Sequence, residues 1–438
     1  MKVLKFGGTS VGSAQRMKEV AKLILDGQKK IVVLSAMSGT TNSLVEISDY
    51  LYKRNPDAAL ETINKLSLKY DGVVEELYAT AEYKTKTKAL LQEHFDQIRS
   101  FTGGLFTLFE EKVVLAQGEL MSTKMVTNYL LESGVKAALL PALEYMRVDK
   151  NGEPDYEYIK TNLAKQLEQT PDVEIYITQG FICLNAYGEV DNLQRGGSDY
   201  SASIVGASVK ADEIQIWTDI DGMHNNDPRV VDKTSPVSHL HFEEAAELAY
   251  FGAKILHPTC ILPAKLANIP VKLLNTMQPD AFGTMISNQT ERNIIKAVAA
   301  KDGITAIKIK SGRMLLAYGF LRKVFEIFES YQTPIDMITT SEVGVSLTID
   351  KNKHLPEILN ELKKFGTVTI DEDMVIICVV GDLTWENIGF ETQVLQALSD
   401  IPVRMISYGG SNYNISLLVK AADKKRSMQA LSDHLFNK

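Results

Sequence analysis

The sequence predicts an α/β protein: a mainly parallel sheet sandwiched by helices, followed by two smaller βαββαβ units. Three observations carry this expectation. Over the first two-thirds of the chain, short apolar runs alternate with longer stretches of helical period, the signature of strand–helix–strand crossovers. Runs such as "IVVL" (31–34) are apolar on both faces, as the central strands of a covered parallel sheet must be. After residue 303 the order strand, helix, strand, strand, helix, strand can be read once and then begins again.

In order, strands are expected over 2–6, 31–35, 136–140, 174–179, 213–218 and 270–274. Between the first two, Met17, Val20, Ala21, Ile24 and Leu25 fall on one helical stripe that closes at Gly27. Residues 54–110 read as an inserted pair of long helices, with Leu60, Ile63, Leu66, Tyr70, Val73 and Leu77 spaced by three or four. This assigns 1–293 to one front domain. The first βαββαβ unit takes 303–371. The second stops one strand short at the end of the chain, and the unclaimed run "IIKAVAA" (294–300) can supply the missing strand. The first unit is therefore expected to be inserted into the second, which comprises 294–302 with 372–438. Two copies of one small unit suggest a paired sensing module.

Composition narrows the function classes. The chain has 438 residues, 45% of them hydrophobic, and a net charge of −8, so no basic footprint points to nucleic acid. No Lys/Arg run suggests a membrane surface, and no apolar stretch of about 18 residues suggests a membrane helix. Lys2 and Lys5 precede a glycine-rich turn rather than an apolar core, so no secretory leader is expected. Cys183, Cys260 and Cys378 are too few and too far apart for a zinc pattern or a disulfide framework. A cytoplasmic protein is the expectation.

Five stretches combine glycine, hydroxyl and charge where core packing would not demand them. In "KFGGTS" (5–10), Gly7 and Gly8 bare the backbone beside Lys5, ahead of a helix; the turn would cradle a phosphate or is simply tight. The spacing of a P-loop is absent, as is a strand-linked GxGxxG. In "SAMSGTTN" (35–42), Ser35 and Thr41 sit at the end of a parallel strand, where ligands bind in open α/β sheets; Thr41 or Asn42 would equally serve as a helix cap. In "AQGELMST" (117–124), Glu119 would hold an ammonium group or is a solvated helical glutamate. In "QRGGSDYSA" (194–202), Arg195 offers a planar fork for a carboxylate or phosphate. There Ser198 donates and Asp199 would orient a reacting oxygen or a metal-bound water; an Arg–Asp surface pair leaves the two intervening glycines unexplained. The fifth stretch runs from "WTDIDGMHNNDPRVV" (217–231) to "YFGAKILHP" (250–258). Its Thr218, Asp219, Arg229 and Lys254 supply the polar groups and cations of a nucleotide pocket, although single cations of this kind are commonly plain surface residues.

Taken in series, "KFGGTSV", "RGGSDYSA", "TD…DPR" and "GAKILHP" resemble the aspartate kinases of the amino acid kinase family, and the likeness covers essentially the whole chain. The terminal units look like paired ACT domains. The resemblance implies transfer of the γ-phosphoryl group of MgATP to the side-chain carboxylate of aspartate. It implies that Lys5 stabilises the moving phosphoryl group and that Asp199 organises the reacting centre. Arg195 would grip the substrate α-carboxylate and Glu119 its amino group, with Ser35, Thr41 and Ser198 completing the site. Gly7, Gly8, Thr218, Asp219, His224, Arg229 and Lys254 would hold ATP, with Mg²⁺ carried mainly by the ATP phosphates. The chain departs from the family pattern at Gln194, at Asp191 and Asn192, and at His224, where an aromatic tyrosine is usual. None of these removes a charged group with an implied role.

In the first ACT-like unit, "RMLLAYGFL" and "IDMITTSEV" resemble the effector-binding stretches of lysine-inhibited members. Asp336 and Glu342 would take the effector's ammonium groups, and Met314, Thr340 and Ser341 would line the site, or these are ordinary loop residues. ACT pairing implies at least a homodimer. Two rivals remain: a kinase of the same fold with another acidic substrate, and an inactive amino-acid sensor. The ACT pair and Glu119 weigh against the first; Lys5, Arg195 and Asp199 weigh against the second. From a length of 438 residues, no fused homoserine dehydrogenase is expected.

Overall fold

A strand with a covered face on each side belongs in the middle of a sheet, and Lys2–Phe6 is placed there. In the computed structural model, which describes residues 1–193, 196–252, 256–311 and 318–437, this strand lies between Lys30–Leu34 and Ile214–Thr218, parallel to both. The chain divides into two units, 1–222 with 256–288, and 223–255 with 289–438.

In the first unit the strands run in the order Ala137–Leu140, Ile175–Gln179, Lys30–Leu34, Lys2–Phe6, Ile214–Thr218, Val271–Asn275, Thr284–Ser287. All neighbours are parallel except the last pair. Parallel strands bring their carboxyl ends to one rim, so Phe6, Leu34, Gln179 and Thr218 feed their following loops to the same side. Six expected strands are present with ends shifted by a residue or so. The second starts at Lys30, whose buried stem runs in the sheet while its ammonium meets Asp26 in the preceding turn.

Helix Ala14–Ile24 starts where Ser13 accepts a hydrogen bond from the Arg16 amide at 3.3 Å, and it ends before Gly27. The inserted helices are Pro56–Leu77 and Ala81–Ser100, capped by Asn55 and Thr80. Tyr70 on the first is fully buried against the edge of Phe95, ring centroids 5.7 Å apart, and its hydroxyl shares a hydrogen bond with Thr40 Oγ1 at 2.9 Å. The insertion is therefore anchored to the start of the helix Thr40–Tyr52 that follows the second strand. Helix Leu108–Glu132 opens with a capping box between Thr107 and Glu110.

The second unit holds a sheet in the order Ile338–Ser341, Gly344–Ile349, Ile295–Lys310, Thr367–Gly381, Asn414–Lys420, Met405–Tyr408. The sequence suggests separate strands at 294–300 and 304–310, and again at "TVTID" and "MVIICVV". The structure joins each pair into one long strand, Ile295–Lys310 and Thr367–Gly381. What reads as a turn at Lys301–Gly303 is a bulge: the register slips between Lys301 and Ile304, with Gly303 at φ +73, and again between Ile304 and Ala306, where Asp373 on the partner strand has φ +54. One half of this ladder packs Ile307, Leu347, Phe328 and Ile358 into one core. The other packs Ile377, Val379, Leu417 and Leu431 into a second. Among the described residues no helix is long and apolar enough to cross a membrane.

Truncating Ile377, fully buried in the longer strand pair, to alanine is expected to cost about 2–5 kcal/mol. The check is a lowered denaturant midpoint of the intact chain with an unaltered circular dichroism spectrum before the transition.

Candidate active site

The site grows from close approaches that only glycine permits. A Cβ on Gly8 would lie 2.9 Å from the Ala36 carbonyl oxygen, so the loop after the first strand can lie on the loop after the second only without a side chain there. The Ser38 amide donates to the Gly8 carbonyl at 3.2 Å across this junction. At Gly118, on the long helix Leu108–Glu132, a Cβ would come within 2.7 Å of Ala36 Cβ. Gly180, just after the strand Ile175–Gln179, would place its Cβ 2.4 Å from Ser198 Oγ.

Helix Gly197–Val209 begins at this crowded point. Its N-cap is Gly196, left-handed at φ +69, and a Cβ there would overlap Cys260 Sγ; no side chain caps the helix. The two glycines that a surface ion pair would not explain thus have a cause: Gly196 is demanded by φ and by contact, Gly197 by its φ of +45. Phe181 also has positive φ, +67, its amide donating to Ser201 Oγ at 2.9 Å. The turn presents Ser198 and Asp199. Ser35 Oγ donates to Ser198 Oγ at 2.9 Å, joining the second and fourth motifs. Lys5 Nζ lies 2.7 Å from Asp199 Oδ1, with the two side chains only 12% and 17% exposed. Asp199 is therefore paired with the lysine of the first motif.

Glu119 is 4% exposed, which rules out a solvated helical glutamate. Its Oε1 accepts from the Ala36 amide at 3.1 Å. Burial pushes its carboxyl from 4.5 up to about 8; the Ala36 hydrogen bond and the nearby Lys5 charge offset only part of that rise. Thr41 and Asn42 do not cap their helix, because the N-cap of Thr40–Tyr52 is Gly39 at φ +80. Instead Gly8, Ser35, Thr41, Glu119 and Ser198 line a common cleft of about 410 Å³, room for a small polar molecule.

The expected nucleotide residues fall in both units. Thr218 and Asp219 end the strand Ile214–Thr218 in the first unit, Thr218 Oγ1 donating to Asp219 Oδ1 at 3.1 Å. His224 and Arg229 belong to the second unit. His224 Nδ1 shares a hydrogen bond with Thr234 Oγ1 at 2.9 Å. Arg229 is 82% exposed and forks onto Asp227, Nη2 to Oδ2 at 2.8 Å and Nε to Oδ1 at 3.0 Å, holding the Asp227 carboxyl below its ordinary range. Arg195, Lys254 and Met314 lie outside the described residues.

Among the expected effector residues, Thr340, Ser341 and Glu342 are exposed at the end of the strand Ile338–Ser341. Asp336 is different: its side chain is fully buried, and Oδ1 accepts from Tyr250 Oη at 2.8 Å and from Lys301 Nζ at 2.5 Å. Burial raises its carboxyl despite both partners. Tyr250, Lys301 and Asp350 escape sequence reasoning. Of these three only Lys301, just after "KAVAA", stands out in the sequence, and a lysine there is ordinary.

A mainly parallel sheet whose central strand runs into a glycine turn, with the Lys5–Asp199 pair and a polar cleft at its rim, suits a kinase of small carboxylates. Residues 1–275 match the amino acid kinase family and 377–435 the ACT domain. The chain is 34% identical over 461 residues to aspartokinase 1, chloroplastic, of Arabidopsis thaliana, covering 99% of this chain and 80% of that one. It is 33% identical over 447 residues to lysine-sensitive aspartokinase 3 of Escherichia coli, covering 99% of both. The crystal structure of E. coli aspartokinase III in complex with aspartate and ADP superposes with a TM-score of 0.83 at 33% identity, over the whole of both chains. This chain belongs to the amino acid kinase family, among the aspartokinases.

The raised Glu119 carboxyl has a pH consequence for the ligand-free protein. Its folded value exceeds the unfolded one, so it stays protonated in the fold while the unfolded chain ionises. Stability is then fully present below about pH 4.5 and declines as pH rises toward about 8. Glu119→Gln removes this slope. Denaturation midpoints of the two proteins should diverge over that window, the wild type losing ground to the variant as pH increases; parallel curves would refute the assignment.

Proposed function

We propose that this chain transfers the γ-phosphoryl group of ATP to the side-chain carboxylate of L-aspartate, under feedback control by an amino acid, with lysine as the effector. The observation that carries the reading is the cleft in which buried Glu119 faces Ser35, Thr41 and Ser198, beside the Lys5–Asp199 pair. A buried carboxyl with one amide partner is matched by an ammonium, whose charge would draw its proton off. Arg195 would take the α-carboxylate, leaving the side-chain carboxylate free to react. The E. coli relative was crystallised with aspartate and ADP, and its curated name states lysine sensitivity.

The physics asks little beyond alignment. A carboxylate is already nucleophilic at neutral pH, so no strong base is needed, and phosphoryl transfer depends on positioning and charge neutralisation. Gly7 and Gly8 would let the phosphates approach the backbone, and Lys5 would leave Asp199 to follow the transferring oxygens. Thr218, Asp219, His224, Arg229 and Lys254 would hold the nucleotide. Mg²⁺ would arrive on the ATP phosphates, and Asp199 would orient its water once Lys5 turns to the phosphates. Residues 1–293 would form the catalytic domain, with 303–371 inserted into the second ACT-like unit. The edge strands Ile338–Ser341 and Met405–Tyr408 suit edge-to-edge pairing of ACT units in a homodimer.

The deciding experiment is coupled ATP turnover with aspartate, with and without lysine or threonine. Turnover with aspartate that falls on adding lysine is the expected result; no ATP consumption with aspartate would reject the catalytic reading. Lys5→Ala should lower kcat at least about 10²-fold with an unchanged circular dichroism spectrum. Glu342→Ala should weaken lysine inhibition while leaving the uninhibited rate near that of the wild type, measured from inhibition curves.

A further inference from the structure

The Asp336 cluster is built for one more cation than it contains. Asp336 and Asp350 share a single ammonium, Lys301 Nζ, at 2.5 and 3.0 Å. Asp336 Oδ2 and Asp350 Oδ1 are buried and accept no hydrogen bond. Two carboxylates against one lysine leave a negative excess and two open acceptor atoms, and such groups are costly to bury unpaired. An incoming ammonium would meet both needs. It would also compete for Asp336 with the groups already there, Lys301 and the Tyr250 hydroxyl.

Tyr250 has a second connection. It closes the helix Phe242–Tyr250, and its ring lies under Lys301 Nζ, 4.4 Å from the centroid. Two residues on, Gly252 sits at φ +132, where a Cβ would come within 2.3 Å of the Ala300 carbonyl oxygen. The end of this helix is thus held twice to the same point of the strand Ile295–Lys310: by the Tyr250 side chain at Lys301 and Asp336, and by backbone contact at Ala300. In sequence, Lys254 follows Gly252 by two residues.

Resting on the reading of Asp336 as an effector carboxylate, we propose that Tyr250 is the coupling residue of feedback inhibition. Its hydroxyl holds Asp336 in the uninhibited state. When an effector ammonium takes that carboxylate, Tyr250 loses its acceptor, and the helix end carrying the chain toward Lys254 shifts to satisfy the phenol elsewhere. A bound effector and a bound nucleotide then oppose one another through one side chain, and the opposition is reciprocal.

Tyr250→Phe keeps the ring and removes only the donor, so it separates binding from coupling. The full-length protein is titrated with L-lysine by calorimetry, and turnover is measured at saturating L-lysine. The expected variant turns over at the wild-type rate without lysine and binds lysine at least as tightly as the wild type. It keeps at least about fivefold more activity than the wild type at saturation. Inhibition of the variant as complete as in the wild type would overturn the proposal. So would joint loss of binding and inhibition, which would make Tyr250 merely part of the binding wall. A wild-type protein that does not bind lysine at all would instead strike down the effector reading on which this rests, a failure visible before the variant is made.

Discussion

The 2.7 Å contact between Lys5 and Asp199 ties the central strand of the sheet to the first turn of helix Gly197–Val209. Both side chains are largely withdrawn from water, so neither charge can be left alone without a large penalty. Each fixes the other's position, and the surrounding loops must then fit within the space that remains. That requirement selects Gly8, Gly118, Gly180 and Gly196: every one lies where a methyl group would strike a neighbouring atom. The cleft is the space left once four backbones have converged on one ion pair.

Two acidic groups far apart in sequence obey the same rule. Glu119 and Asp336 are each buried and each raised by desolvation, and one oxygen of Asp336 accepts no hydrogen bond. Such a group discriminates sharply, because only a ligand that brings both a charge and donors repays its desolvation. One device would serve substrate recognition in the first unit and effector recognition in the second. The two differ in their resting partners. Glu119 has a backbone amide that cannot leave, whereas Asp336 has two side chains that can.

Much of this was legible in the residues. Periodicity located the strands of the first sheet to within a residue or so, because buried strands and amphipathic helices leave different spacings. The motif series brought Ser35, Thr41, Glu119 and Ser198 to one cleft, and Lys5 with Asp199 beside it. Sequence failed where an environment is made by distant chain. Local pattern gave no reason to bury Glu119; the close approach of Gly118 to Ala36, distant in the chain, does that. The Lys301–Gly303 stretch reads as a turn because turns and bulges use the same residues, and only the partner strand distinguishes them. Tyr250 and Asp350 carry no signal, since a tyrosine at a helix end and an aspartate after a strand are commonplace.

The long bulged ladder between Ile295–Lys310 and Thr367–Gly381 has a bearing on how such a pair of regulatory modules can be assembled. Lys301 pairs with Ile376 and Ile304 with Met374, so the base of the ladder closes as an ordinary hairpin whether or not anything extends beyond it. The intervening module grows from the tip of that hairpin, like a graft on a cut stem. Excising it and splicing in a short turn would leave the backbone ladder of the remaining half in place, at the cost of the Asp336 partner of Tyr250 and Lys301, whereas a cut anywhere along the stem would cost both modules a strand.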